Sequence, residues 1–272
     1  MMPAAEHEIA GRSAKLAVES VSRSFRSIAS GRRIQFVKVL NDISFEMREG
    51  EIVSVVGLSG CGKTTLLRIV GGLLTPDEGA VRVDGREVSG PGLDRAIVFQ
   101  QPSLLPWRNA LRNVEFGLEL KRAARAARAE KARDALRLVG LGEYEKYYPM
   151  QLSGGMQQRV GLARALAVEP EILLMDEPFS ALDAQTREEL QAELLDLHAK
   201  TRKTIMFVTH DLDEAVYLSD RVLVLLPHPG RVHTVIEVDL PRPRANILGI
   251  KSDPAFIKAR ETVGREIRAG GD

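Results

Sequence analysis

The 272-residue sequence contains a single cysteine, Cys61. It can form no internal disulfide, which sets aside the disulfide-stapled secreted frameworks and suits a reducing cytoplasm. Charge of one sign is also lacking: the formal net charge is +1, so no global pull toward nucleic acid or anionic lipid is expected. No apolar run approaches the roughly 20 residues needed to span a bilayer. The longest candidates, Ile52–Val56, Ile172–Met175 and Val222–Leu226, have the length of buried strands. The first residues, with Glu6, His7 and Glu8 after Pro3, lack the basic-then-apolar pattern of a secretory signal. Internal repeats of useful period are missing as well. A role at a membrane must therefore come through a partner protein.

What is present is ordinary for a globular protein: 44% hydrophobic and 28% charged residues, in a chain long enough to bury a sizeable core. Residues 1–14 predict a loose tail. Leu16–Val21 alternates and predicts a strand, followed by a polar hairpin loop over Ser27–Arg33 and strand-like Ile34–Leu40. Ile43–Met47 and Ile52–Val56 are β-branched and apolar, separated by the turn Arg48-Glu49-Gly50. A helix is expected to start within Gly62–Thr65 and to stop at Gly71-Gly72. Apolar strands at Ala96–Phe99, Ile172–Met175, Thr204–Val208 and Val222–Leu226 are separated by longer helical stretches, which predicts an α/β fold with a largely parallel sheet. Strand signals vanish between Asn109 and Leu166, where Leu120–Val139 is rich in Ala, Arg and Glu, so a helical subdomain (about 102–166) is inserted into the core. Its Arg122, Arg125 and Arg128 predict a solvated basic face.

The strongest local signal is Gly57-Leu58-Ser59-Gly60-Cys61-Gly62-Lys63-Thr64, followed by Thr65. It fits G-x-x-x-x-G-K-[ST] between a predicted strand and a predicted helix. The glycines let backbone N–H groups curl round phosphate oxygens, and the helix turns its positive end toward them. Lys63 supplies a charge for the outer phosphates, and the Thr64 hydroxyl can ligate Mg²⁺. A second signal is Ile172–Met175 ending in Asp176-Glu177, two carboxylates at a buried strand's C-terminal tip, where α/β proteins bind ligands. Asp176 would hold the metal through water. Glu177 would polarise the attacking water as general base, a role worth about 10²–10⁴ in rate.

Leu152-Ser153-Gly154-Gly155-Met156-Gln157-Gln158-Arg159 then resembles the signature of the ATP-binding cassette (ABC) ATPases, besides being a Ser N-cap opening a helix. The resemblance covers roughly Leu16–Glu237. It implies a P-loop NTPase cassette with a RecA-like core, an N-terminal antiparallel β subdomain and the inserted helical subdomain, together spanning 15–237. It also implies a homodimer in which Ser153, Gly154 and Gly155 complete the ATP site of the other protomer, with two ATP molecules sandwiched between them. Gln100 resembles the glutamine that contacts Mg²⁺ and water and senses the membrane partner; Gln101 is adjacent, but the apolar-Phe-Gln pattern favours Gln100. Ser180-Ala181-Leu182-Asp183 resembles the loop that crosses the dimer seam. His210 resembles the switch histidine at the γ-phosphate. Phe25 matches the position of the adenine-stacking aromatic; Phe36 competes with it, and the spacing to Gly57 favours Phe25.

Chromosome and repair ATPases of this kind carry a long coiled coil before the signature, whereas only Gly71–Gln151 intervenes here, without sustained heptads. A soluble ATPase acting on nucleic acid or the ribosome is the alternative reading. Pro102-Ser103-Leu104-Leu105-Pro106-Trp107 suits core packing or a groove for a helix of a membrane subunit. Its wording resembles the nitrate, sulfonate and taurine importer ATPases, which implies a peripheral subunit at the cytoplasmic face of the cell membrane. Permease subunits and, through them, a solute-binding protein would be its partners; import is favoured over export by analogy alone. Residues 238–272 predict an extension with a helix over Pro254–Arg268, to which no site is assigned. Cys61, at a helix start, predicts a reactive thiolate.

Overall fold

The structure is a computed structural model that describes residues 14–29, 33–121, 124–244 and 247–270. The predicted tail (but for residue 14) and Arg122 of the basic face lie outside the described residues. The first element differs from its expectation. Strand β1 (Leu16–Ala29) pairs antiparallel with β2 (Arg33–Met47) along nearly their whole length. Where the expected loop over Ser27–Arg33 is described it is strand, because Ser27 pairs with Gln35 and Ala29 with Arg33. Cross-strand hydrogen bonds, not apolar alternation, hold this polar ribbon extended. The break expected between Leu40 and Ile43 persists as a kink at Asp42 (φ 53°), whose N–H donates to the Ser22 hydroxyl at 3.1 Å.

Beyond the Arg48–Gly50 turn come β3 (Ile52–Gly57) and α1 (Lys63–Val70). Two strands without a sequence expectation follow, β4 (Glu78–Val83) and the short β5 (Arg86–Glu87). They complete a four-stranded antiparallel sheet of order β2-β1-β4-β5. After β6 (Arg95–Val98) the helical insertion holds α2 (Ala110–Leu120), α3 (Arg125–Leu138) and α4 (Gly154–Ala167). The remaining core elements are β7 (Ile172–Asp176), α5 (Ala184–Thr201), β8 (Thr204–Val208), α6 (Leu212–Leu218), β9 (Arg221–Leu226) and β10 (Arg231–Glu237). The second sheet has order β10-β9-β3-β8-β7-β6, parallel throughout except for the β9–β10 edge.

Both faces of this sheet are covered, which is why its central strands are continuous apolar runs. Successive residues divide between two cores. Ile52, Val56, Leu173 and Met175 pack with the helical insertion, α5 and α6, while Val53, Val55, Ile172 and Leu174 pack with α1 and the antiparallel sheet. Ser54 is the polar exception inside β3, and its hydroxyl pairs with that of Ser219.

The C-terminal extension forms α7 (Ile247–Lys251) and α8 (Pro254–Ala269), the latter near its expected span. It is tied down at several points. The buried Arg244 guanidinium donates to the carbonyls of Tyr217 (2.7 Å) and Ser219 (2.9 Å) at the end of α6. Burial, with Arg242 nearby, brings its pKa down to about 10. Arg242 pairs with Asp220 at 2.8 Å, Arg260 with Asp213, and Lys251 with Glu188 at 2.8 Å. On α8 the apolar positions Phe256 and Val263 are buried.

Candidate active site

Three strands end side by side. Register sets Val55 of β3 beside Val208 of β8, and Asp176 of β7 beside the same Val208. The residues that follow each strand tip therefore meet: the loop after Gly57, then Glu177, then His210. They line one cleft of about 780 Å³, together with Val39 of β2, Leu212 of α6 and the end of α8. That volume is within the range of small-molecule sites.

The loop from Gly57 into α1 is shaped by glycine. Gly62 is left-handed (φ 96°), and a Cβ there would lie 2.5 Å from Leu40 Cδ2; at Gly57 it would lie 2.3 Å from the Leu225 carbonyl oxygen. The tight fit is thus to the surrounding protein at Gly57 and Gly62, while Gly60 (φ 82°) has open space around it and is set by its backbone alone. Glycine tolerates these conformations without the steric penalty other residues incur. No acidic residue occupies the first turn of α1, so its N–H groups and the dipole face the cleft uncompensated.

Lys63 is 7% exposed. Its ammonium donates to the carbonyls of Gly57 (2.8 Å) and Leu58 (3.2 Å), and it has no ion-pair partner among the described residues. Its remaining acceptor is the Cys61 sulfur at 4.0 Å, and Asp176 acts on it only through space, so the buried cation keeps a desolvation cost that an anion in the cleft would relieve. Across the cleft, His210 Nδ1–H donates to Glu177 Oε2 at 3.0 Å. Glu177 adopts φ 46°, with its N–H bonded to the Val208 carbonyl at 2.9 Å. That turn carries the chain out of β7 and aims the carboxylate back over the strand tips. Asp176 is buried beneath and accepts from the Thr64 hydroxyl at 3.0 Å. Burial raises its pKa; Thr64 opposes this and Glu177 adds to it.

Gln100 is outside the lining but connected to it, since its side-chain amide donates to the Ser180 hydroxyl (3.0 Å), which donates to the Glu177 carbonyl (3.0 Å). Ser153, Gly154 and Gly155 lie elsewhere. Ser153 caps α4, accepting from Met156 N–H at 3.3 Å, and is exposed along with Gly154. Beside them sits the start of α5. A Cβ on Gly155 would lie 2.6 Å from Thr186 Cγ2, and one on Gly154 would be 3.7 Å from Leu182. Asp183 caps α5 through Thr186 N–H at 3.0 Å, which lowers its carboxyl pKa. Signature and seam loop therefore form one exposed surface that does not line the chain's own cleft.

Phe25 is half-buried on β1 with the Arg23 guanidinium 5.2 Å over its ring, and it does not line the cleft. Cys61 requires a correction. It is fully buried, its sulfur packs against Gly57, and burial pushes the thiol pKa up, with Lys63 opposing in part. The helix start does not make it a reactive thiolate, because desolvation outweighs the neighbouring charge.

The sequence also left Asn113 unmarked. This fully buried amide accepts from Leu105 N–H (2.7 Å) and donates to the carbonyls of Arg108 (2.8 Å), Asn109 (3.1 Å) and Leu105 (3.2 Å). It pins the Pro102–Trp107 segment to α2. Arg164 of α4 holds the same segment at the carbonyls of Pro102 (2.7 Å) and Ser103 (3.0 Å), and Gln158 holds Phe99 O at 3.2 Å.

The two-sheet core with this phosphate loop and acid–histidine pair defines a cassette-type P-loop nucleotide-binding protein. A family model described as ABC transporter matches residues 40–180. An uncharacterized ABC transporter ATP-binding protein of Methanocaldococcus jannaschii is 56% identical over 230 residues, 85% of this chain and 84% of its own. The taurine import ATP-binding protein TauB of Pseudomonas aeruginosa is 46% identical over 252 residues, 92% of this chain and 94% of its own. A solved dimeric ATP-binding cassette in a post-hydrolysis state, bound to ADP and Pi, is 33% identical and superposes with a TM-score of 0.71, over 83% of this chain and all of its own. The chain belongs to the ABC transporter family as an ATP-binding, ATP-hydrolysing subunit.

Proposed function

We propose that two copies of this chain energise an importer of a small solute of the taurine, sulfonate or nitrate kind, docked at the cytoplasmic face of the membrane on permease subunits served by a solute-binding protein. The observation that carries the ATPase part is the buried Lys63, without an ion-pair partner among the described residues, opposite the Glu177–His210 pair. The import part draws on likeness to the taurine import subunits, and these transport relatives weigh against an ATPase acting on nucleic acid or the ribosome. Among the described residues no helix is long and apolar enough to cross a membrane. Trp107 (72% exposed) and Met150 (90% exposed), with Tyr147 and Tyr148, are exposed apolar and aromatic side chains of the helical insertion that a permease helix could cover.

In this reading the amides of Gly57–Thr65 and the Lys63 ammonium hold the phosphates. Glu177 takes a proton from the attacking water, His210 orients Glu177 and contacts the γ-phosphate, and Gln100 reports on the reacting centre through Ser180. Thr64 and Asp176, hard oxygen donors 3.0 Å apart, fit Mg²⁺, and Gln100, tied to Glu177 through Ser180, would be the further ligand. When bound, Mg²⁺ supplies charge neutralisation on the phosphate oxygens. Ser153, Gly154, Gly155 and Asp183 serve the partner's nucleotide. Phe25 is the adenine platform; it pairs with Val37, two residues along β2 from cleft-lining Val39, so the base would extend along that strand.

The test is complementation of a strain lacking the gene, with taurine or an alkanesulfonate as sole sulfur source and nitrate as sole nitrogen source, each beside sulfate and ammonium controls. Wild type restores growth on one of these solutes. Glu177→Gln does not, while the purified variant binds ATP and hydrolyses it about 10²–10⁴ times more slowly. Hydrolysis at the parent rate would remove Glu177 as the base. Growth that never depends on the gene would remove the solute class.

A further inference from the structure

The cleft has a wall that neither the motifs nor the family model accounts for: the end of α8, which contributes Gly264, Ile267 and Arg268. The helix is held there by its own contacts. Arg260 pairs with Asp213 of α6, His233 of β10 meets Glu266 at 2.9 Å, and Val263 is fully buried. The approach to α6 is close. A Cβ on Gly264 would sit 3.2 Å from Leu212 Cδ1 and 3.6 Å from the nearest guanidinium nitrogen of Arg268, so the Arg268 head lies on the Gly264 side of the helix, at the cleft. Arg260 and Glu266 are consumed in ion pairs, whereas the Arg268 guanidinium has no hydrogen bond or ion pair among the described residues. It is an unpaired cation lining the same space as Lys63.

We propose that Arg268 is a nucleotide-binding residue: its guanidinium contacts the phosphate chain of the ATP held by its own protomer, with Ile267 as an adjoining apolar wall. The inference rests on the reading of this cleft as the nucleotide site and extends it. Guanidinium is suited to the task, because its planar fork matches two phosphate oxygens at once. Helix polarity adds a second reason. The last turn of α8 borders the cleft, and a helix ends in unpaired carbonyls and partial negative charge. An anion entering there meets repulsion from α8 unless a cation stands between, and Arg268 occupies that place. Phosphate is thus drawn from one side by the N-terminus of α1 and Lys63, and from the other by Arg268 masking the C-terminus of α8. The extension becomes part of the binding site instead of a packing appendage.

The test is calorimetric titration of the full chain with ATP and with adenosine, in a Glu177→Gln background so that nucleotide is not consumed. Arg268→Ala should weaken ATP binding about tenfold, with Arg268→Lys between the two, while adenosine affinity and the melting temperature stay at the parent values. ATP affinity unchanged in Arg268→Ala overturns the proposal. So does tighter ATP binding, which would make α8 a plug, and so does equal weakening of ATP and adenosine, which would signal distortion of the cleft. Lys63→Ala is the arm that separates the two readings. If it abolishes ATP binding while Arg268→Ala is silent, only the role of Arg268 fails; if both are silent, the nucleotide assignment of the cleft fails with it.

Discussion

Two anion-seeking helix starts on this chain are built in opposite ways. The start of α1 is enclosed: strand tips surround it, its lysine is buried, and glycine backbone fits against Leu225 and Leu40. The start of α4 is open, with Ser153 and Gly154 exposed. An enclosed site can bind its ligand within one chain. An open helix end in water offers an anion little, because exposed dipole interactions are worth about 0.3–1 kcal/mol. It gains value only when a second molecule brings a phosphate to it and excludes water. The difference argues that binding belongs to the single chain and turnover to the pair.

The sharpest way to break that division is Ser153→Arg, which places bulk and charge on the open face. ATP affinity of the isolated chain should match the parent, while ATP-dependent dimerisation and hydrolysis fall about 10²-fold or more, the scale lost when oriented donors to a transition state are removed. Sedimentation with and without ATP, beside a phosphate-release assay, reads both. Loss of ATP binding by the lone subunit would place the signature in the chain's own cleft and undo the comparison. A smaller effect is expected from Asn113→Ala. Removing that buried amide leaves backbone groups of the Pro102–Trp107 segment unpartnered and should cost about 1–3 kcal/mol by chemical denaturation. Because the segment also carries Trp107, binding to the permease should weaken as well, with ATP affinity of the monomer unaffected.

The smallest effect concerns pH. Burial lowers the pKa of His198 below its ordinary 6.5, with the Gly50 carbonyl opposing in part. The unfolded chain then takes up the proton more readily than the folded one. The stability held by the neutral ring is complete above the ordinary value and is lost as pH falls below it toward the folded value. Melting curves between about pH 7.5 and pH 5.5 should show His198→Gln with a flatter decline than the parent. An identical slope in both would remove His198 as a contributor.

What could be read from sequence follows the same enclosure. β3, β7 and β8 are buried on both faces, so their apolar runs announced them, and β8 begins and ends where expected. Motif residues that serve one local loop, Lys63, Thr64, Asp176 and Glu177, could be placed because strand, turn and helix are adjacent in the chain. The outer half of β1 was hidden because polar residues such as Arg23 and Arg26 form it, and only pairing with β2 keeps it extended. In β4 only Val81 and Val83 are buried, beside exposed Glu78 and Gly79 and half-buried Ala80 and Arg82, a pattern too short and too charged to stand out. Val39, Asn113 and Arg268 were invisible for another reason. Val39 and Arg268 act on segments far along the chain, and no spacing encodes which helix will lie over which loop; Asn113 acts only eight residues back, on Leu105, but a lone Asn in a helical stretch does not announce that it is buried. Cys61 was misjudged because a helix start predicts charge stabilisation while saying nothing about depth.

The ties between α4 and the segment after Gln100 have a mechanical consequence. Arg164 grips the carbonyls of Pro102 and Ser103, and Gln158 grips that of Phe99. Main-chain acceptors cannot swing aside as side chains do, so the Pro102–Trp107 segment and α4 share one lever arm. On the proposed docking, a push from the membrane subunit would reach α4 as rigid displacement, with hydrogen bonds for bolts, and the central sheet would not have to deform to carry it.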